Sequence, residues 1–234
     1  IGFDQLIWIE KHNTADAYLK FFNADGGESG ACGNGTRCVA DLISKEKDNK
    51  TIILTTPSGN LKSEILENNL VTTEIGIAKT KWNEIPLSNE FDTLNLNIKI
   101  NDINNNEYHG GTAVNVGNPH VIFFMNEIEN FDITKIGPHI ENHKIFPEKC
   151  NVTIAKVVNK NLIKVKVWER GAGLTKACGT AACATAFAGL INNLTNRNTD
   201  IEFETGKLSI FIDEKNSIHM KGPVSDIEEI LIKL

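Results

Sequence analysis

Short apolar segments with partial alternation recur along the chain, at residues 52–54, 61–66, 71–77, 94–100, 121–125, 152–158, 162–167, 208–212 and 218–221. A period of two is that of a half-buried strand. Turn formers such as Pro57-Ser58-Gly59-Asn60 separate several of these segments. Three stretches read instead as helix: residues 34–45, 133–142 and 178–194. Strands and helices do not follow one another in the βαβα order of a doubly wound sheet, so the pattern predicts an α+β fold. Asparagine is abundant but scattered, Asn104-Asn105-Asn106 being its longest run, and no low-complexity linker interrupts the chain.

A length of 234 residues suits one large domain or two of roughly 100 residues each. Hydrophobic residues make up 41% and charged residues 23%, ordinary globular usage that supports a real core. Lys and Arg number 24 against 30 Asp and Glu, which argues against a nucleic-acid groove. No run approaches the roughly 18 apolar residues of a membrane span, and no signal peptide opens the chain. Five cysteines, an odd count, speak against a complete disulfide framework and for a reducing compartment. The expectation is a soluble cytoplasmic protein that engages neither nucleic acid nor membrane.

An internal comparison carries the chemistry. Ala31-Cys32-Gly33-Asn34 is matched by Ala177-Cys178-Gly179-Thr180, each opens a helical stretch, and each is followed by a further cysteine, Cys38 or Cys183. The chain therefore reads as two similar halves, each presenting one cysteine at the start of its main helix. Unpaired amides in a first helical turn lower a thiol's pKa from about 8.5. Flanking glycines let those amides approach a carboxylate closely. Two such sites facing each other would hold one carboxylate with a thiol on each side of its α-carbon. That arrangement inverts an amino-acid centre: one thiolate removes the α-proton, and the opposite thiol returns one to the other face.

Blander roles compete for the same residues. Most free cysteines are small buried hydrophobes, the role expected of Cys38, Cys150 and Cys183. Zinc is disfavoured, since neither the Cys32–Cys38 nor the Cys178–Cys183 spacing is C-x2-C. A Cys32–Cys178 disulfide would be an oxidised off state. Gly33-Asn34-Gly35 and Gly171-Ala172-Gly173 fall short of a nucleotide-binding G-x-G-x-x-G after a strand. His139-Ile140-Glu141-Asn142-His143 has a ligand-like histidine pair but does not match H-E-x-x-H, so a solvated helix face is expected.

Several motifs resemble one family, diaminopimelate epimerase. They are Ile1-Gly2-Phe3-Asp4-Gln5, Phe22-Asn23-Ala24-Asp25-Gly26, 31–38, Asn115-Val116-Gly117-Asn118-Pro119-His120, Phe146-Pro147-Glu148, 168–173 and 177–180. They cover essentially the whole chain in the family's order. Proline racemase and hydroxyproline epimerase share the paired cysteines but usually carry His after the first Cys-Gly, so Asn34 favours the diaminopimelate branch. The resemblance implies two pseudo-symmetric domains, each a curved, mostly antiparallel sheet around a central helix. Their spans would be 1–75 with the returning 223–234, and 76–222, with the active site in the cleft between them. It also implies cofactor-independent, metal-free interconversion of LL- and meso-2,6-diaminopimelate, on the route to lysine and peptidoglycan.

Carried over position by position, Cys32 and Cys178 are the acid/base thiols, assisted by His120 and Glu169. Gly33, Asn34, Gly179 and Thr180 would offer amides to the reacting carboxylate. Gln5, Asn23, Asn118, Asn151, Glu169 and Arg170 match substrate-contacting positions. Charge-assisted pairing suits Arg170 to a carboxylate; without the family, turn formation is the expected role of the asparagines. Leu174 and Ala181 depart from the family's usual Glu and Gly, and Leu174 removes a polar group near Cys178. Residues 226–234 lack the aromatic often found at the family's dimer contact, which weakens the expectation of a homodimer.

Two rival readings remain. A non-catalytic amino-acid-binding protein would have no need of two thiols, and a racemase for proline-like substrates would lack a site for a distal carboxylate and ammonium. A last expectation is that the chain is N-terminally incomplete and therefore of low activity. It begins with Ile1, inside a family motif, and the counterpart of Asn118 in the first half would precede residue 1.

Overall fold

A computed structural model describes residues 3, 5–23, 26–29, 32–57 and 59–230. In chain order the elements are β1 (Gln5–Glu10), β2 (Ala17–Asn23), β3 (Glu28–Ser29), α1 (Gly33–Lys47), β4 (Thr51–Thr56), β5 (Gly59–Ile65), β6 (Leu70–Ile77), β7 (Ile98–Asn101), β8 (Glu107–Gly110) and β9 (Thr112–Asn115). Then follow β10 (Pro119–Phe124), α2 (Ile133–Glu141), β11 (Asn151–Asn159), β12 (Leu162–Glu169), β13 (Gly173–Thr175), α3 (Gly179–Ile191), β14 (Asn198–Phe203), β15 (Gly206–Ile212) and β16 (Ser217–Pro223). Strands outnumber helices, as an α+β fold requires. The chain divides into two compact units, residues 1–73 with 221–234 and residues 74–220. It leaves the first within β6 and returns within β16.

In the first unit the strands lie in the order β1-β2-β4-β5-β6, with β3 paired to β2 off that path. β1 and β2 are antiparallel, whereas β2 and β4 run parallel through Ala17–Leu54 and Tyr18–Thr55. A parallel pair needs a crossover connection, and α1 supplies it. Period-two positions Leu19 and Phe21 of β2 and Ile52 and Leu54 of β4 join Val39, Ala40 and Ile43 of α1 in one core, with Val71 and Val224. α1 ends at Asp48, whose φ of 50° is left-handed, and carries Lys45 and Lys47 in its last turn, where cations suit the helix dipole.

The second unit repeats this connectivity. β11 and β12 are antiparallel, β13 pairs β12, α3 crosses over, and β14 lies parallel to β12 before β15 turns back antiparallel. Even the register recurs: Phe21 faces Ser29 in the first half and Val167 faces Thr175 in the second. Both pairs are displaced by the offset that takes Cys32 to Cys178.

Both faces of this second sheet are covered. Val121 and Phe123 of β10 and Val152 and Ile154 of β11 join a core with Ile133, Ile136 and Ile140 of α2. Ile122 of β10 and Ile163, Val165 and Val167 of β12 turn instead toward α3. Burial on both faces explains why β10 reads as a continuous apolar run. Residues 181–189 of α3 are all buried, the signature of a helix enclosed on every side. The expected strand at 94–100 is a strand only from Ile98. Asn97 is left-handed (φ 52°) and donates its N–H to Asn95 Oδ1, a local turn that cannot continue a ladder. Among the described residues, no helix is long and apolar enough to cross a membrane.

Candidate active site

Cys32 and Cys178 stand at the N-caps of α1 and α3 in the same extended conformation (φ −141°, ψ 99° and φ −142°, ψ 116°). Each sulfur therefore lies against its own first turn. Cys32 Sγ accepts the Gly35 N–H at 3.2 Å. Cys178 Sγ lies 3.4 Å from Thr180 Oγ1 and, unlike Cys32, accepts no cap hydrogen bond from its first-turn amides. Helix geometry leaves the N–H groups of Gly33 and Asn34, and of Gly179 and Thr180, outside the intrahelical ladder. A Cβ at Gly35 would meet Ile7 Cδ1 of β1 at 2.3 Å, so a larger residue there would have to push that side-chain tip aside. Its counterpart Ala181 is helical and 1% exposed, and so is accommodated where the family usually has Gly.

Within the second unit the expected residues converge. His120, wholly buried on β10, donates from Nε2 to Asn118 Oδ1 at 2.8 Å. Burial, with Arg170's charge adding, depresses its pKa to about 3, so the imidazole is neutral. Its Nδ1 finds no partner among the described residues. Asn118 Nδ2 reaches Thr180 Oγ1 at 3.5 Å, which links His120 through Asn118 and Thr180 to Cys178. Asn151, 2% exposed, donates from Nδ2 to Pro119 O (3.0 Å) and accepts the Arg170 N–H at Oδ1 (3.0 Å). It thus ties β10 to the turn after β12 and is not itself part of a turn. Arg170 is exposed, with Nη1 on Glu148 O at 2.9 Å.

Within the first unit, Gln5 and Asn23 face each other across β1 and β2. The side chain of Asn23 lies outside the described residues, as do Ala24, Asp25, Ala31 and Ser58 of the motifs and turn read from the sequence, with Ile1, Gly2 and Asp4 of the opening motif and residues 231–234 of the C-terminal segment. Asn34 is exposed, and its Oδ1 accepts from Arg37 Nη2 at 2.8 Å. The Cys32-to-Cys178 offset also carries Gln5 to Asn151, Asn23 to Glu169, Gly33 to Gly179 and Asn34 to Thr180. The repeat thus extends through the candidate site, beyond the two cysteines.

Three expectations need correction. The thiol of Cys178 is raised, not lowered: burial pushes it up, the Glu169 carboxylate beside it acts in the same direction, and the Thr180 hydroxyl and the nearby Ala181 N–H oppose them without prevailing. The solvated face assigned to 139–143 holds for His139 and Asn142, but Glu141 is buried. Its Oε2 accepts Trp168 Nε1 at 2.8 Å and its Oε1 accepts the Gly171 N–H at 3.0 Å. Of the cysteines expected to be buried, Cys150 and Cys183 are, while Cys38 is only partly so. Leu174 is 57% exposed on β13, opposite Trp168.

Comparison with known proteins agrees in direction. The sequence model described as diaminopimelate epimerase matches residues 1–81 and 112–227. The chain is 68% identical over 234 residues to the diaminopimelate epimerase of Pelagibacter ubique, covering all of this chain and 85% of that protein. It is 41% identical over 229 residues to that of Caulobacter sp. strain K31, covering 96% and 79%. Among solved structures, a predicted epimerase from Pseudomonas aeruginosa superimposes with TM-score 0.69 at 13% identity, over 98% of this chain and 85% of that one. A hydroxyproline epimerase from Agrobacterium vitis does so with TM-score 0.66 at 11% identity, over 94% and 71%. At such identities these structures speak for the fold alone.

Proposed function

The chain belongs to the diaminopimelate epimerase family, and on that premise we propose that it interconverts LL- and meso-2,6-diaminopimelate with Cys32 and Cys178 as an acid–base pair that needs no cofactor. The thiolate of one cysteine takes the α-proton, and the electron pair of the broken C–H bond passes to the α-carbon and into its carboxylate. The thiol of the other gives its proton to the opposite face and is left as thiolate, so charge and protons balance. The reverse reaction exchanges the two roles. Amides of Gly33, Asn34, Gly179 and Thr180 would stabilise the charge building on the carboxylate. Gln5, Asn23, Asn118, Asn151, Glu169 and Arg170 would hold the rest of the substrate, with His120 and Glu169 tuning the thiols. Burial and Glu169 favour the protonated form of Cys178, which suits it as the acid in the direction where Cys32 is the base. The same reading has the chain working in the cytoplasm, on precursors of lysine and peptidoglycan.

The observation that carries this reading is the pair of cysteines at two helix N-caps in one backbone conformation. Its test is α-proton exchange in deuterated water, with diaminopimelate and proline offered separately. Exchange is expected with diaminopimelate alone. Cys32→Ala and Cys178→Ala should each lose epimerisation by about a thousandfold or more, while Cys38→Ala and Cys183→Ala keep it and lose mainly stability. Near-normal turnover in either of the first two variants would end the two-base reading.

A further inference from the structure

Glu141 holds a buried carboxylate to which the proposed chemistry gives no task. An ionised group is costly to bury unless its oxygens are satisfied, and both of them are, by donors from one short turn. Trp168 Nε1 and the Gly171 N–H lie on either side of Glu169 and Arg170, and each takes a separate oxygen. Lys149, at 3.9 Å, is too far for a hydrogen bond.

One helical turn earlier on α2 stands Gly137, on the same face. A Cβ there would lie 2.3 to 2.6 Å from Trp168 Cγ, Cδ2 and Cβ, so the root of the indole rests directly on the helix backbone. α2 therefore seats the ring with Gly137 and takes its N–H with Glu141. The turn is fixed elsewhere as well. The N–H groups of Arg170, Gly171 and Ala172 go in succession to Asn151 Oδ1, Glu141 Oε1 and Glu169 O. Three consecutive backbone donors are thereby satisfied around the residue whose carboxylate acts on Cys178.

We propose that Glu141 is a positioning residue: through Trp168 and Gly171 it fixes the 169–173 turn, and so holds the Glu169 carboxylate against the Cys178 thiol. This rests on the reading of Cys178 and Glu169 as reacting and tuning groups. Only a carboxylate meets the demand, because both of its oxygens accept. The amide of Glu141→Gln keeps one acceptor and turns an N–H toward the second donor, at nearly unchanged volume.

The test follows alkylation of Cys178 by iodoacetamide at fixed pH, resolved from the other cysteines by peptide mass spectrometry. It uses the wild-type chain, Glu141→Gln, Glu169→Gln and the double variant. Release of the Glu169 carboxylate lowers the thiol's proton affinity, and each unit of lowering gives tenfold more thiolate. Glu141→Gln should speed alkylation several-fold, as Glu169→Gln does, and the double variant should go no faster than Glu169→Gln alone. Trp168→Phe, which keeps an aromatic side chain but loses the indole N–H and part of the ring's volume, should act in the same direction if Glu141→Gln folds poorly. In parallel, kcat for diaminopimelate should drop roughly tenfold to a hundredfold, with KM less affected. Acceleration that persists in the Glu169→Gln background would mean mere exposure and overturn the proposal. Unchanged alkylation in Glu141→Gln, or in Glu169→Gln, would overturn it too. If the alkylation pattern holds while the wild-type chain exchanges no diaminopimelate protons, the functional reading fails and the positioning role stands.

Discussion

Replacing Gly137 with Ala tests how tightly Trp168 is seated. By helix propensity alone the change is favourable, by about 1 kcal/mol, and Gly137 has no positive φ to resist it. Packing opposes it. The new Cβ would stand 2.3 Å from Trp168 Cγ, 2.5 Å from Cδ2 and 2.6 Å from Cβ. These atoms belong to the fixed root of the side chain and cannot swing aside without moving the whole ring. Overpacking of this kind costs about 1–3 kcal/mol. Displacing the ring also breaks the 2.8 Å bond from Nε1 to Glu141, and a hydrogen bond to a charged acceptor contributes about 1.5–3 kcal/mol. The net loss comes to about 3 kcal/mol, or a fall in Tm of about 6–12 °C for a protein of this size. Thermal unfolding followed by circular dichroism, with tryptophan fluorescence reporting on the ring, measures it. Gly110→Ala is the control, since its Cβ would meet only Phe123 Cδ1 at an ordinary 4.0 Å, and it should change stability by less than about 0.5 kcal/mol. A Gly137→Ala chain as stable as its parent would refute the seating of Trp168 on α2, and with it the positioning role of Glu141.

Two further outcomes follow from buried polar groups. His120 has a folded-state pKa of about 3 against an ordinary 6.5, so between those values the unfolded chain binds the extra proton. Its contribution is fully present above pH 6.5 and is lost as pH falls toward 3, on the order of 2 kcal/mol by pH 5. Urea midpoints at pH 7.5 and 5 should show a steeper loss for the wild type than for His120→Gln; parallel losses would contradict a neutral buried imidazole. Asn151→Asp would turn a carboxylate oxygen toward Pro119 O in place of the Nδ2 donor. It should cost about 3 kcal/mol at pH 7 and recover in part near pH 4, where the carboxyl can donate; equal urea midpoints at the two pH values would argue against that contact.

The helices were legible because their starts carry backbone chemistry that the sequence displays. Cys-Gly opens α1 and α3, and Asp132 caps α2 by accepting the Thr134 N–H. β1 escaped the hydrophobic pattern, whereas β2 buries Ala17, Leu19 and Phe21 at period two and was legible but passed over. β1 exposes Leu6, Trp8 and Ile9, so its apolar residues do not sort onto one face. β14 buries Thr199 between exposed Asn198 and half-buried Asp200, and a polar residue at a core position hides the alternation. At the candidate site, residue identities followed from the motifs, but electrostatics did not. The raised thiol of Cys178 reflects burial by α3 packing and a carboxylate from β12, neither of which a local N-cap argument contains. Glu141 was misread for a similar reason: its partners lie 27 and 30 positions away in sequence, beyond the reach of helical periodicity.

The route of the chain through β6 and β16 has a consequence for synthesis on the ribosome. Val224 belongs to the core of the first unit and donates its N–H to Asn69 O, yet residues 74–220 are translated between the two. At roughly 5–20 residues per second, the earlier segment waits about seven to thirty seconds for the segment that closes it. During that interval the core of the first unit lacks Val224. The second unit, continuous in sequence, is free to fold first once it emerges, so a nascent chain stalled near residue 215 should present a protease-sensitive leading half.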